Sequence, residues 1–185
     1  GRKHQRTLSM GLINTISNWP TQRWPWLLLA ASALGLEVAA LVFQYAMGLD
    51  PCVMCVYQRV AVMGVFIAAL PACFAPTNLL ARTVSLVGSL VASVWGFKIA
   101  YEHVQMQNPD NFMLLLGCDV IPQFPSWLQL HKLMPSVFEP RGMCGDIDWQ
   151  FIGLSMPQWM AVIFALYSIS LILVALSRLI AKRAL

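Results

Sequence analysis

The sequence predicts an all-α membrane protein: a bundle of four transmembrane helices with one long loop that carries a short interfacial helix. Three observations lead there. Hydrophobic residues make up 58% of the 185 positions and charged residues 11%, a balance outside that of soluble globular domains. Four segments reach the roughly 20 mostly apolar residues that a spanning helix needs, at about Trp24–Met47, Val53–Phe74, Thr83–Tyr101 and Pro157–Leu176. The stretch 102–156 is polar and aromatic instead, and forms the long loop.

Residues 1–23 form a basic N-terminal tail, within which 1–9 precede a plausible initiator, Met10, as a remnant or upstream extension given no function. The first span is as long as a full crossing and lacks a small-residue cleavage site, so it reads as a retained anchor rather than a cleaved signal. Glu37 sits mid-way along it, where an ionised carboxylate is costly. It is expected to be protonated or bonded to a neighbouring helix, with no catalytic role.

Short links join the first span to the second and the second to the third. The second opens on Pro51-Cys52-Val53-Met54-Cys55, and Pro51 suits a helix start because its missing N–H and fixed φ cost nothing there. On the third, Ser85, Gly88, Ser89, Ala92, Ser93 and Gly96 make a small-residue stripe for close helix packing. In the loop, Trp127, Leu130, Met134 and Phe138 can form one apolar stripe of a short helix lying along the membrane surface. The fourth span closes a single membrane domain, 24–177, and a tail, 178–185, follows.

An even number of spans puts both termini on one side. There lie Arg2, Lys3, Arg6, Arg23, Arg82, Arg178, Lys182 and Arg183 with no acidic residue, whereas Asp50, Glu102, Asp110, Asp119, Glu139, Asp146 and Asp148 lie across the membrane against Lys132 and Arg141. Cytoplasmic flanks keep Lys and Arg, so both termini are expected in the cytoplasm. The net charge of +4 comes from this collar. No basic face with interleaved aromatics occurs, which argues against nucleic acid as a partner.

This topology places Cys52, Cys55, Cys118 and Cys144 on the outer side and Cys73 near the inner end of the second span, where it reads as a small packed apolar residue. Thiols in an oxidising compartment tend to pair. A C-x-x-C at a helix start has its thiol pKa lowered by the dipole and unpaired N–H groups. Cys52, Cys55 and Arg59, at i, i+3 and i+7, share one helical face, with the cation about 6 Å along the axis from Cys55. Arg59 could snorkel to the interface, but its shared face with two cysteines favours a cation that stabilises a thiolate and a polar ligand headgroup. For Cys118 and Cys144 a structural staple worth about 3 kcal/mol stands beside a loop-borne dithiol that reaches the first pair. Zinc held by the four outer thiols is disfavoured, since the second pair is not a C-x-x-C, and no metal is assigned.

A chain that oxidises other thiols must pass two electrons onward. No dinucleotide fingerprint such as G-x-G-x-x-G is present, so the acceptor is expected to dissolve in the bilayer, and a quinone fits. Tyr101, Glu102 and His103 stand at the outer end of the third span. His103 reads either as an interfacial hydrogen-bonding residue or, with Arg59, as a donor to quinone carbonyls.

From Met10 onward the chain carries, in order, Leu36-Glu37 with Phe43-Gln44, Pro51-Cys52-x-x-Cys55-x-Tyr57-x-Arg59, Tyr101-Glu102-His103, Cys118-Asp119, Phe124-Pro125-x-Trp127-Leu128, Cys144 and Met156-Pro157-Gln158-Trp159. With these motifs it resembles the bacterial disulfide bond formation protein B (DsbB) family. The resemblance implies a multi-pass enzyme of the bacterial inner membrane, with a periplasmic loop, that reoxidises a periplasmic DsbA-like thiol oxidase and delivers electrons to ubiquinone or menaquinone. By the same resemblance, Cys118 is the sulfur that the reduced partner attacks and Cys144 resolves by exchange with Cys52. Cys55 then faces the quinone near Arg59, His103 is a second quinone-site residue, and Phe43 and Tyr57 are candidate walls. Cys73 has no place in the family pattern, and the segment between Glu102 and Cys118 differs in detail, which bears on partner contacts. Two competing readings are a paralogue dedicated to a specialised DsbA-like partner and a non-catalytic scaffold with two static disulfides.

Overall fold

The computed structural model describes residues 1–119 and 121–183. Of the expected C-terminal tail, positions 184 and 185 lie outside the described residues. Helix α1 (Arg2–Asn18) and a 3-10 turn (Trp19–Thr21) lead into α2 (Arg23–Tyr45). Then come α3 (Val53–Phe74) and α4 (Leu79–Met106). Three four-residue helices follow in the loop: α5 (Phe112–Leu115), α6 (Leu130–Leu133) and α7 (Pro135–Phe138). A hairpin of β1 (Gln150–Phe151) and β2 (Leu154–Ser155) delivers the chain to α8 (Met156–Lys182).

Among the described residues, helices α2, α3, α4 and α8 are the four long and apolar enough to cross a membrane. Leu28, Ile67, Val91 and Leu173 point outward and are exposed, as a lipid-facing surface allows. The termini of these helices are set by local chemistry. Trp26 Nε1 donates to Pro20 O at 2.9 Å and fixes the turn before α2. The side chain of Asn78 accepts from Leu80 N and Ala81 N at the start of α4, and Ser155 with Gln158 forms a capping box on α8. Helix α4 begins earlier and ends later than the apolar stretch suggested, and α8 runs on to Lys182, because a helix continues beyond its lipid-facing part wherever polar residues have no turn signal to stop it.

Helix α3 lies between α2 and α4, and α4 packs on α8. Near the termini the bundle is filled by Trp26, Ala30, Ala69, Ala72, Cys73, Leu86 and Leu171. Next comes a layer with Ala33, Ala61, Val62, Val65, Ala100 and Phe164. The small-residue stripe of α4 serves this packing: a Cβ on Gly88 would meet Ala68 Cβ at 3.0 Å, and Ser85 Oγ accepts from Ala72 N at 3.0 Å. Gly96 is the tightest point, because a Cβ there would collide with the ring of the fully buried Phe164. Gly96→Leu is therefore expected to overpack the bundle and lower stability by about 1–3 kcal/mol, read as a lower Tm in detergent, with an unchanged Tm arguing against this contact.

Two elements differ from the sequence expectation. The N-terminal tail is helical over α1, which turns Ile13, Ile16 and the buried Ser17 inward and packs on α8, where Arg178 Nη1 donates to Ser17 O at 2.8 Å. In the loop, one continuous helical stripe is not formed. Pro135 lacks the N–H to continue α6, Met134 takes φ −132°, and the chain restarts as α7. Phe138 is buried while Trp127 stands exposed, so the four apolar residues do not share one face.

Candidate redox site

At the end of the bundle away from the termini, Cys52, Val53, Met54, Ile99 and Cys144 form a third buried cluster, with Cys55 and Cys118 packed against it. Both cysteine couples thus meet in one place. Cys52 is the N-cap of α3 and Cys55 lies in its first turn. Pro51 stands outside the helix rather than as its first residue, and its carbonyl accepts from Arg141 N at 2.7 Å and Gly142 N at 3.0 Å. Those two bonds dock the Cys144 segment on the C-x-x-C. The approach needs a glycine, since a Cβ on Gly142 would come within 2.6 Å of Asp50 O.

Cys118 and Cys144 are joined as a disulfide, with Cα atoms 6.3 Å apart, while Cys52, Cys55 and Cys73 are free. Cys52 Sγ donates to Cys55 Sγ at 3.5 Å. That hydrogen bond holds the Cys52 thiol pKa well above its ordinary range, and burial acts in the same direction.

His103, from the last turns of α4, is buried between the couples. Its Nε2 lies 3.5 Å from Cys52 Sγ and 3.1 Å from Cys144 O, and its Nδ1 lies 3.0 Å from Gln58 Nε2. Arg59 is buried, not snorkelling. Its Nη1 donates to Gln44 Oε1 at 2.8 Å and Val137 O at 2.7 Å, and its Nη2 to Ala40 O at 3.3 Å. The guanidinium so ties α2, α3 and α7 together.

A cavity of about 840 Å³, counting its open mouth, has Glu37, Phe43, Cys52, Cys55, Arg59 and His103 in its wall. Asp50, Asp146 and Asp148 line its exposed rim. Glu37 is buried, and among the described residues neither carboxyl oxygen has a hydrogen-bond partner. Of the two expectations for Glu37, a protonated carboxyl or a bond to a neighbouring helix, the bond is not formed, and the residue lines the cavity.

Comparison with known proteins gives one answer. The family model "Disulfide bond formation protein DsbB" matches residues 22–174. A Disulfide bond formation protein B from Pseudoalteromonas translucida (strain TAC 125) is 47% identical over 173 residues, covering 94% of this chain and 100% of that protein. The chain belongs to the DsbB family. Relatives of the same description from Shewanella frigidimarina (strain NCIMB 400), 49% identical over 158 residues covering 85% of this chain and 92% of that one, and Pseudoalteromonas atlantica (strain T6c / ATCC BAA-1087), 46% identical over 170 residues covering 92% and 98%, agree.

This DsbB-family chain gathers all eight expected site residues around the cavity and the sulfur cluster, with Tyr57 against the cluster alone. Phe43 is in the cavity wall, its ring 5.2 Å from that of Trp149. Tyr57 is not. Two residues beyond Cys55 it faces the other side of α3, where its ring packs on Trp95 and Phe124 and its Oη accepts from Gln123 N at 2.8 Å. It anchors the loop rather than lining the cavity. Gln44 and Gln58, which hold Arg59 and His103, were not singled out as site residues. Their signal was available, since each is an uncharged polar residue within a mostly apolar span. The Val137 carbonyl and the Pro51 carbonyl carried none, because every residue has one.

Proposed function

We propose that the protein reoxidises a periplasmic DsbA-like thiol oxidase through its two cysteine couples and passes the electrons to a membrane quinone, ubiquinone or menaquinone. The observation that carries this reading is the packing of both couples in one cluster at the head of a cavity walled by Arg59, His103 and the unpartnered Glu37. Arg59 and His103 offer N–H donors and Phe43 an aromatic wall, a donor set that fits a quinone ring with its two carbonyls.

The exchange steps follow from exposure. Cys144 is 0% exposed and Cys118 partly exposed, so a partner thiolate reaches Cys118. Attack there breaks the Cys118–Cys144 bond, forms a mixed disulfide and releases Cys144 as a thiolate. Cys144 attacks Cys52 of the Cys52–Cys55 disulfide and frees Cys55. The partner's second thiol then displaces Cys118, which leaves the partner oxidised. Cys118 attacks Cys144, remaking their bond and leaving both C-x-x-C sulfurs reduced. The described arrangement, with Cys118 joined to Cys144 and Cys52 and Cys55 free, matches this stage. A quinone supplies a sink for two electrons and two protons. Cys52 and Cys55 give up those electrons and their two thiol protons as their disulfide reforms, with Arg59 and His103 positioned to donate to ligand oxygens.

In this reading the protein sits in the bacterial inner membrane with termini cytoplasmic and active cysteines periplasmic. Arg23, Arg82 and Arg178 at one end and Asp50, Asp146 and Asp148 at the other support that orientation. The test is quinone reduction in detergent with a reduced DsbA-like protein. Turnover is expected for the natural chain and none for the Cys52→Ala/Cys55→Ala variant; equal rates would refute the reading. A companion outcome concerns docking of the two couples. Gly142→Val is expected to slow passage of electrons from the loop couple to Cys52 by about tenfold or more, as misplacement of reacting groups does, while Cys118–Cys144 still forms. Rapid-quench thiol labelling would follow it, and an unchanged rate would remove Gly142 from the scheme.

A further inference from the structure

Three soft or borderline donors face one another at the start of α3. Cys52 Sγ is 3.5 Å from Cys55 Sγ and 3.5 Å from His103 Nε2, and all three atoms lie within 4.8 Å of one another. A tetrahedral zinc ion with bonds of about 2.3 Å to sulfur and 2.0–2.1 Å to nitrogen sets its ligand atoms about 3.5–3.8 Å apart. Two of the three edges already have about that length, and the third, Cys55 Sγ to His103 Nε2, is no longer than 4.8 Å.

The surroundings of the trio complete the requirements of a metal site. A ligating histidine gives its other ring N–H to an acceptor, which fixes the tautomer. Gln58 occupies that place, 3.0 Å from Nδ1, and with its amide turned so that Oε1 faces the ring it accepts Nδ1–H; the ion then takes Nε2 in place of that atom's contact with Cys144 O at 3.1 Å. Two thiolates and an imidazole make three protein ligands with a fourth position open, as in zinc sites that exchange their last ligand. The cavity that leads to the trio carries Asp50, Asp146 and Asp148 at its exposed rim, and Glu37 and the single cation Arg59 further along its wall. Carboxylates at the rim attract a cation to that opening.

We propose that Cys52, Cys55 and His103 form a site for a thiophilic divalent cation of the zinc and cadmium class, open only while the C-x-x-C couple is reduced. Binding makes two metal–thiolate bonds and one metal–imidazole bond, releases two thiol protons to solvent and moves no electrons. The Cys52–Cys55 disulfide cannot form until the ion leaves. Metal capture therefore arrests the protein in its reduced state, whatever the identity of the electron acceptor.

The test uses the full chain with Cys73, Cys118 and Cys144 replaced by alanine, reduced, freed of reductant under argon and titrated with Co²⁺. One Co²⁺ per chain is expected, with thiolate-to-cobalt charge-transfer bands and the intense visible bands of a tetrahedral ion, displaced by Zn²⁺. The oxidised chain is expected to give none, and His103→Ala or Gln58→Leu to weaken binding by about tenfold or more. Bands in the oxidised chain, affinity indifferent to His103→Ala, or no bands while both thiols remain reactive would each overturn the site. In the unsubstituted chain, Zn²⁺ is expected to slow alkylation of Cys52 and Cys55 and a chelator to restore it. Unprotected thiols there would contradict the proposal even if the substituted chain failed to fold.

Discussion

Cys118→Ser is expected to abolish oxidation of a reduced DsbA-like partner while leaving the Cys52–Cys55 couple able to reform in the presence of quinone. The physical reason is access. Within the loop couple Cys144 is fully enclosed and Cys118 partly exposed, so Cys118 is the sulfur of that disulfide that an incoming thiolate can touch; in the other couple Cys52 is 2% exposed and Cys55 partly exposed. A hydroxyl cannot form a mixed disulfide, so the route has no substitute. Loss of a residue that carries the covalent intermediate costs about a thousandfold or more, and a fall of that size in partner oxidation is the expected reading. The control is chemical reduction of Cys52–Cys55 followed by quinone, which bypasses the loop and should proceed at the natural rate. Undiminished partner oxidation by the serine variant would overturn the assigned order.

Arg59→Met carries the second large effect. The guanidinium lines the cavity beside Cys55 and is held by Gln44, Val137 and Ala40 from three sides. A donor fixed in a low-dielectric site and aimed at developing negative charge is worth about 10²–10³ in rate. Quinone turnover is expected to fall by that amount. Removal also strips the Gln44 and Val137 oxygens of their donor, and each buried acceptor left unpaired costs about 1–3 kcal/mol, so some loss of stability accompanies it. The two effects separate by step: exchange between the partner and Cys118 should persist, because Cys118 sits outside the Arg59 network. An unchanged apparent quinone KM and turnover would count against the role.

Much of this arrangement was legible in the residues. Hydropathy alone gave the four crossings, because a lipid-facing helix has to be apolar along its length. Helical spacing alone put Cys52, Cys55 and Arg59 on one face, and all three line one cavity. What the residues did not disclose was how the loop folds back. Contact between the Pro51 carbonyl and the Arg141 and Gly142 amides joins segments far apart in the chain through backbone atoms, for which side-chain identity gives no signal beyond a glycine. The same holds for Val137 O, which meets Arg59 only because α7 restarts after Met134. Helix α1 escaped notice for another reason: its buried face is no more than Ile13, Ile16 and Ser17, too few positions for periodicity to register. Tyr57, a candidate wall by resemblance, lies between the sulfur cluster and the loop, because two residues beyond Cys55 the helical turn carries it out of the cavity wall.

The central claim is that electrons travel from the loop couple to the C-x-x-C couple. The most direct measurement adds one equivalent of reduced DsbA-like protein to the fully oxidised chain without quinone or oxygen, quenches with acid at intervals, and labels free thiols by mass. The account predicts an early partner–Cys118 mixed disulfide, followed by label on Cys52 and Cys55 with Cys118 and Cys144 again protected. Four sulfurs that stay protected throughout, or label confined to Cys118 and Cys144, would contradict it.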